Sequence, residues 1–235
     1  YENGRLNGIQ ESYYDNGILK VRISMIGGQA AGKTQEFYPD GALKSVGTKS
    51  HGVWQDTVSF YYPNRQVQRI VPYGKNGKIN GTVLGYYDNG HIMVRDSYVD
   101  DTLAGPSVQY FPNGMPAEKG NYCNGARDGI WQAYYPTGSL FSEGRFTKGV
   151  LTNSWIVFNE DGTTKQRGSY FQGKEDGLWQ YFQKNGLLKS EGHMTRGLEN
   201  GLWQAYDASG NISEVALYIN GAIIYHRKIS TTPRR

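Results

Sequence analysis

The sequence has one cysteine, no long apolar run and no cluster of charge of one sign, and each absence excludes a class of protein. Cys123 is the single cysteine, so neither an internal disulfide nor a cysteine-based metal cluster can form. No stretch approaches the roughly 18 consecutive apolar residues of a membrane-spanning helix. The formal net charge is +4, and Lys and Arg are interspersed with Asp and Glu. The sequence therefore lacks the basic face of a nucleic-acid-binding protein.

Helical periodicity is also absent, whereas glycine and tyrosine are abundant. The 235 residues include 32 glycines and 19 tyrosines, and only 37% of them are hydrophobic. A compact α/β domain normally carries more aliphatic residues. This composition is typical of many short strands joined by tight turns, with ring-rich packing in place of a thick aliphatic core.

A repeat of 24 residues runs along nearly the whole chain. Two columns of equivalent positions define nine repeats, and one interval, between the third and the fourth, has 25 residues. The aromatic column contains Tyr13, Phe37, Tyr61, Tyr86, Tyr110, Tyr134, Phe158, Phe182 and Tyr206. The turn column, four residues later, contains Gly17, Gly41, Arg65, Gly90, Gly114, Gly138, Gly162, Gly186 and Gly210.

Each repeat predicts a β-hairpin. An aromatic-rich run meets a turn such as Asp15-Asn16-Gly17, and an alternating run such as Leu140–Phe146 follows. The predicted fold is all-β, an elongated single-layer antiparallel meander of about nine tandem hairpins over residues 1–221. Residues 222–235 are predicted to be a closing strand and a basic tail ending in Pro233-Arg234-Arg235. Trp54 lies outside the column of the other tryptophans, which predicts a local shift of register in the third repeat.

The phrase Tyr170-x-x-Gly173-x-x-x-Gly177-x-Trp179, echoed from Tyr122 to Trp131, resembles the MORN repeat. The 24-residue period with its central turn glycine resembles the bacterial variant of that repeat, found in YwqK-type antitoxins. The resemblance covers roughly residues 1–221. It implies an antitoxin or immunity protein that binds a cognate toxin or secreted effector and occludes its active site. The alternative is a repeat scaffold at a membrane surface, which the mild net charge does not favour.

One segment matches a nucleotide-binding pattern. Gly27–Thr34 fits G-x-x-x-x-G-K-[ST], whose main-chain N–H groups cradle phosphates at the start of a helix. Here only four residues separate Thr34 from the next turn, and Gly32 recurs in the repeat as Gly8, Gly81 and Gly105. The four histidines lie in different repeats without metal-ligand spacing. We therefore expect no nucleotide, cofactor, metal, catalytic residue or enzyme activity.

Two columns are candidates for partner binding. The residue after the aromatic column is itself aromatic in the first six repeats, which serves either to cover the sheet or to form an exposed strip for a partner. In another column the charges alternate in sign from Lys119 onward, as either a solvated ladder or a pattern that selects a partner. The predicted partner-binding residues are Tyr38, Tyr62, Tyr87, Arg95, Phe111, Lys119, Tyr135 and Glu143.

The chain begins partway through a repeat, because Tyr1-Glu2-Asn3-Gly4 matches Tyr122-Cys123-Asn124-Gly125. We therefore expect a preceding segment. If that segment was an export signal, the site of action is the periplasm or the cell envelope, and the target is an envelope-attacking effector such as a phospholipase. Otherwise the protein acts in the cytoplasm.

Overall fold

The computed structural model describes residues 1–229, so the predicted tail at Pro233-Arg234-Arg235 lies outside the described residues. Over residues 1–229 the chain forms twenty β-strands and no helix. The strands form a single open antiparallel sheet in meander order, in which strands adjacent along the chain pair with each other. The predicted all-β meander of tandem hairpins is confirmed.

Contacts group the chain into two units, which we describe separately. Unit 1 comprises residues 1–115 and 122–125, and unit 2 comprises residues 116–121 and the chain from 126 onward. The first nine strands are β1 (Gly8–Tyr13), β2 (Leu19–Ile26), β3 (Gln29–Phe37), β4 (Leu43–Ser50), β5 (Val53–Tyr61), β6 (Val67–Tyr73), β7 (Gly81–Tyr86), β8 (Ile92–Val99) and β9 (Thr102–Tyr110). The next six are β10 (Pro116–Cys123), β11 (Ala126–Tyr134), β12 (Leu140–Thr147), β13 (Val150–Phe158), β14 (Thr164–Phe171) and β15 (Lys174–Glu175). The last five are β16 (Gly177–Phe182), β17 (Leu188–Thr195), β18 (Leu198–Tyr206), β19 (Ile212–Ile219) and β20 (Ala222–Lys228).

Two kinds of turn alternate along each unit. At the turn column the loop closes with two main-chain hydrogen bonds, as from Tyr14 N to Ile18 O and from Gly17 N to Tyr14 O. At the other end, two residues with positive φ connect the strands, as at Asn124 (49°) and Gly125 (78°). Two successive positive φ values define the type I′ turn, whose twist matches that of the flanking strands. The sequence singled out the first kind of turn, and the second connects one hairpin to the next.

The extra residue of the 25-residue interval lies between β6 and β7. There Gly74 N donates to Lys78 O, and Gly77 N donates to Gly74 O. This is the bonding pattern of the turn column, so one added residue replaces the two-residue turn with the longer kind. The strands on either side keep their pairing, since Tyr73 bridges to Ile79.

Hydrogen bonds between successive turns tie each repeat to the next. At the turn column, Asn64 Nδ2 donates to Asp88 O at 3.0 Å. At the opposite end, Gly149 N donates to Arg127 O and Gly197 N to Glu175 O, each at 2.8 Å. Each repeat is therefore stabilised chiefly by its neighbours, as in other repeat proteins.

The core of unit 2 consists of tryptophans that lie flat on glycines. A methyl group on Gly168 would lie 2.3 Å from the Trp179 ring, and the same close contact joins Gly120 to Trp131 and Gly192 to Trp203. Trp179 is fully buried. We call the side of the sheet that carries Trp131, Trp155, Trp179 and Trp203 the tryptophan face. The opposite side, which carries Lys119, Glu143, Arg167 and Glu191, is the ladder face.

The core of unit 1 consists of small and β-branched side chains. Val58, Val71 and Val83 are buried there together with Thr34 and Ser45.

Trp54 in unit 1 keeps the register of the other repeats. It pairs with Lys49, as Ala30 pairs with Met25 and Leu103 with Tyr98 in equivalent repeats. The predicted shift of register in the third repeat is therefore wrong. Trp54 occupies the strand position that Ala30 and Leu103 occupy, a different column from Trp131.

Candidate binding surfaces

The predicted tyrosine column lies beside the turns and joins successive repeats. In unit 1 the hydroxyl groups of Tyr38, Tyr62 and Tyr87 donate to main-chain oxygens of the next repeat at 2.7–2.8 Å. In unit 2 Tyr135 donates to Phe158 O at 3.0 Å. All of these rings, and that of Phe111 in the same column, are half-buried. Internal packing accounts for the column, and its contact with a partner stays a prediction.

Arg95 in unit 1 lies among aliphatic neighbours. It is exposed, and it pairs with Leu84 on one side and Val108 on the other. The equivalent positions of the three earlier repeats are Arg22, Val46 and Ile70, so charged and aliphatic side chains share this column in unit 1.

Lys119 and Glu143 in unit 2 lie on the ladder face, where a glutamine and a tyrosine connect to the carboxylate. The Gln132 amide donates to Glu143 at 2.6 Å, and the Tyr134 hydroxyl donates to the Gln132 oxygen at 2.8 Å. The Lys119 ammonium lies 5.2 Å from the centroid of the Tyr134 ring, within cation–π range.

A longer network follows on the same face. Arg167 Nε donates to Gln180 Oε1 at 2.7 Å, and Gln180 Nε2 donates to Glu191 Oε2 at 2.8 Å. The Tyr206 hydroxyl donates to Glu191 Oε1 at 2.6 Å. The hydrogen bonds from Tyr206 and Gln180 lower the pKa of Glu191, and the same bond to Glu191 raises the pKa of Tyr206 to about 12. Direct hydrogen bonds between these side chains therefore support the interpretation of the charge column as a ladder, and selection of a partner by the same column stays a prediction.

The glutamines that connect the ladder were not among the predicted binding residues. The signal was present as a recurrent Trp-Gln pair at 131–132, 179–180 and 203–204. Because adjacent strand residues point to opposite faces, each pair places an indole on the tryptophan face and an amide on the ladder face.

The two networks on the ladder face are separated by Ile156, and a shallow depression lies there. Its volume is about 480 Å³, and Ile156, Leu178, Arg167 and Gln180 are among the residues that line it. The floor is therefore part apolar, with a guanidinium at the side.

Exposed apolar side chains accompany the ladder. Leu202 is 53% exposed, Ile130 46%, Leu178 45% and Leu217 38%. Leu202 pairs directly with Leu217, and Leu217 with Tyr225, which is itself half exposed. Apolar groups grouped in this way beside ordered polar groups resemble the composition of a protein-binding surface.

The segment Gly27–Thr34 is a turn followed by a strand. Gly27 and Gly28 form the two-residue turn between β2 and β3, and Thr34 pairs with Ile23 and Gly47 in the neighbouring strands. Thr34 is buried, so its hydroxyl is directed into the sheet packing. Within residues 1–229 no group of three or more His, Cys, Asp or Glu side chains is placed to hold a metal ion, and no helix could cross a membrane.

Comparison with known proteins gives one family match. The model of the MORN repeat variant matches residues 6–26, 79–100, 103–124, 127–148 and 199–220, that is, five of the repeats. The comparison with curated proteins gives no match.

The solved structures that are similar to the chain include two crystal structures, that of TcdB2-TccC3-Cdc42 and that of TcdB2-TccC3. Each is 10% identical in sequence, with a TM-score of 0.23, and the match covers 88% of the present chain. The chain spans 13% and 14% of those proteins, respectively. At this TM-score the likeness carries no argument about fold or function.

Proposed function

We propose that this chain of MORN-type repeats is a non-catalytic binding protein that neutralises a toxin or secreted effector by covering its active site. The observation that carries the proposal is the row of exposed apolar side chains on the ladder face of unit 2, beside a hydrogen-bonded series of charges. The toxin as the class of partner comes from the resemblance to bacterial antitoxins of the same repeat type.

The ladder supports this proposal because its side chains are already ordered. Arg167, Gln180 and Glu191 hold one another through hydrogen bonds of 2.7–2.8 Å. Ordered side chains lose little conformational freedom when a partner binds, so more of the contact energy remains as affinity. The alternation of Lys119, Glu143, Arg167 and Glu191 requires a partner with the complementary order of charges, which provides selectivity.

The test uses the product of the adjacent gene as the candidate toxin. We expect it to stop growth when expressed alone, and we expect co-expression with this chain to restore growth and yield a complex. A product that forms no complex, or whose toxicity persists, would refute the antitoxin proposal.

Arginine substitutions locate the surface. Leu202→Arg and Ile130→Arg each place a charge within the apolar row, at exposed positions that tolerate it, and we expect at least a tenfold loss of affinity for the toxin by calorimetry. Ile223→Arg is the matched control, because Ile223 is 58% exposed but pairs with Tyr218 on the tryptophan face. Loss of affinity in the control alone would place the interface elsewhere.

The membrane-scaffold alternative has its own readout. Flotation with anionic liposomes at low salt measures binding to headgroups. We expect the chain to remain in the soluble fraction, and co-flotation would favour the scaffold instead.

A further inference from the structure

On the tryptophan face of unit 2, an arginine of the chain covers an indole ring. The Arg127 guanidinium lies 4.1 Å from the centroid of the Trp131 ring, and its Nη2 donates to Glu118 Oε2 at 2.7 Å. The indole lies flat on Gly120 and is only 2% exposed. The ring is therefore enclosed between main chain and guanidinium, an arrangement in which cation–π attraction is strongest.

The same three positions recur 72 residues later with different side chains. Trp203 occupies the place of Trp131, lies flat on Gly192, and donates from Nε1 to His193 O at 3.2 Å. Glu199 replaces the arginine, and Ser190 replaces the glutamate. The indole is therefore retained. The side chain four residues before it changes from positive to negative, and the position of Glu118 carries only a hydroxymethyl group.

This exchange leaves a cavity of about 540 Å³ on the tryptophan face. Ser190, Glu199 and Trp203 line it together with Tyr181 and Met194. The rings of Tyr181 and Trp203 lie 6.4 Å apart, so two aromatic surfaces and one carboxylate meet at the cavity. The site has the components of the Arg127 site except the cation.

We propose that this cavity binds an arginine side chain of a protein that contacts the tryptophan face, the side of the sheet opposite the ladder. The guanidinium stacks on Trp203 and pairs with the Glu199 carboxylate, as Arg127 stacks on Trp131 and pairs with Glu118. The inference goes beyond the proposed function, which places the toxin on the ladder face; the site and its chemistry come from unit 2 itself.

The charges around the cavity are complementary to a cation. Burial raises the pKa of Tyr181, and the negative charges of Glu175 and Glu199 raise it further. Burial likewise raises the pKa of Tyr218, with the charges of Glu199 and Glu214 as further causes. Lys189 also lies at the cavity, but it precedes Ser190 in strand β17, and strand alternation directs its side chain to the ladder face.

Trp179 provides an internal control. Glu175 precedes it at the spacing by which Glu199 precedes Trp203, so the same carboxylate is present. Trp179 is fully buried, with the rings of Tyr170 and Tyr181 packed 5.4 Å and 6.3 Å away. A partner's side chain cannot reach this indole.

The experiment follows the indole N–H signals of the ¹⁵N-labelled protein by NMR during titration with N-acetyl-arginine amide. We expect a saturable shift of the Trp203 signal and none of the Trp179 signal. The matched probe is N-acetyl-citrulline amide, which has the shape of arginine without its charge. An equal response to citrulline, or no saturable shift with arginine, would overturn the proposal without any variant.

Two isosteric variants then test the carboxylate. Glu199→Gln is expected to weaken arginine binding about tenfold, whereas Glu175→Gln is expected to leave it unchanged. Unchanged binding by Glu199→Gln, in a protein whose other signals are preserved, would contradict the inference.

The test is independent of the toxin. Because the cavity and the ladder lie on opposite faces, Glu199→Gln is expected to bind the toxin normally, and failure of one proposal leaves the other standing. Arginine binding with no toxin complex would refute the proposed function, and the cavity would remain a cation site.

Discussion

Units 1 and 2 share one repeat and pack it differently. One core position of the repeat holds Thr34, Val58, Val83 or Ser107 in unit 1. Small side chains of this strand and of the adjacent strand fill the core there. In unit 2 the same position holds tryptophan, and its cross-strand neighbour is glycine. A tryptophan beside a glycine buries more apolar area per repeat than two small side chains do, and each tryptophan depends on the absence of a side chain at its glycine neighbours.

The ladder face differs in the same direction. Apart from the ion pair of Arg22 with Glu11 in the first hairpin, unit 1 places Val46, Ile70, Leu84 and Val108 along the centre of this face, where unit 2 places glutamines and charges. The turns of unit 1 supply other links between repeats, because successive tyrosine hydroxyls donate hydrogen bonds to the main chain of the next repeat. Unit 1 is therefore held together mainly at its turns and valines, and unit 2 by its indoles and side-chain network.

The comparison is tested most severely by removing one core side chain from each unit. Trp179→Ala is expected to lower the free energy of unfolding by about 3–5 kcal/mol, because it leaves a large cavity on Gly168. Val83→Ala in unit 1 removes two methyl groups and is expected to cost about 2 kcal/mol. Urea denaturation followed by far-UV circular dichroism measures both. Equal losses would show that the two cores do not differ as described.

The glycine partner is the next test. Gly168→Ala places a methyl group 2.3 Å from the buried Trp179 ring, and we expect a loss of about 1–3 kcal/mol from overpacking. In the double variant with Trp179→Ala the methyl group gains space, so the two losses should not add. Additive losses in the double-mutant cycle would mean that the contact does not limit the core.

Removal of one tyrosine hydroxyl tests the turns of unit 1. Tyr62→Phe deletes the hydrogen bond to Tyr86 O. We expect the free energy of unfolding to fall by about 1 kcal/mol, because the main-chain oxygen loses its donor. Tyr225→Phe, at a half-exposed ring in unit 2, is the control and should leave the urea midpoint unchanged. A Tyr62→Phe variant as stable as the parent would remove the turns from the account of unit 1.

The smallest effect concerns the ladder of unit 2. Glu191→Gln should return the pKa of Tyr206 from about 12 toward its ordinary value of 10.0, because the hydrogen bond to a carboxylate is lost. NMR titration of ¹³C-labelled tyrosine measures this shift, and Glu143→Gln is the control that should leave Tyr206 unchanged. An unaltered Tyr206 pKa in Glu191→Gln would contradict the assignment.

The signs of these shifts define two pH windows for stability. The pKa of Glu191 is lowered on folding, so its contribution is present above its ordinary pKa and is lost as the pH falls through the lowered value. The pKa of Tyr206 is raised, so its contribution is present below pH 10.0 and is lost as the pH rises toward about 12. We expect both losses to be smaller in Glu191→Gln.

The sequence by itself determined the local features of this protein. Alternation and the turn glycines act over a few residues, so the hairpins, their count and the all-β class could be predicted. The 24-residue period also places Lys119, Glu143, Arg167 and Glu191 on one side of the sheet. The resemblance to the MORN repeat agreed with the five repeats that match its model.

Only the tertiary structure decided what each column contacts. The sequence grouped Tyr38 and Tyr62 as a column, but their hydroxyl partners lie 23 and 24 residues ahead in the next repeat. Trp54 was interpreted as a shift of register, whereas it fills another column in the same register. A sequence pattern specifies the face of the sheet on which a side chain lies. The space around that side chain depends on its neighbours in the two adjacent strands. For that reason the cavity at Trp203 could not be predicted from the sequence, although the spacing already places Ser190 and Glu199 at the positions of Glu118 and Arg127.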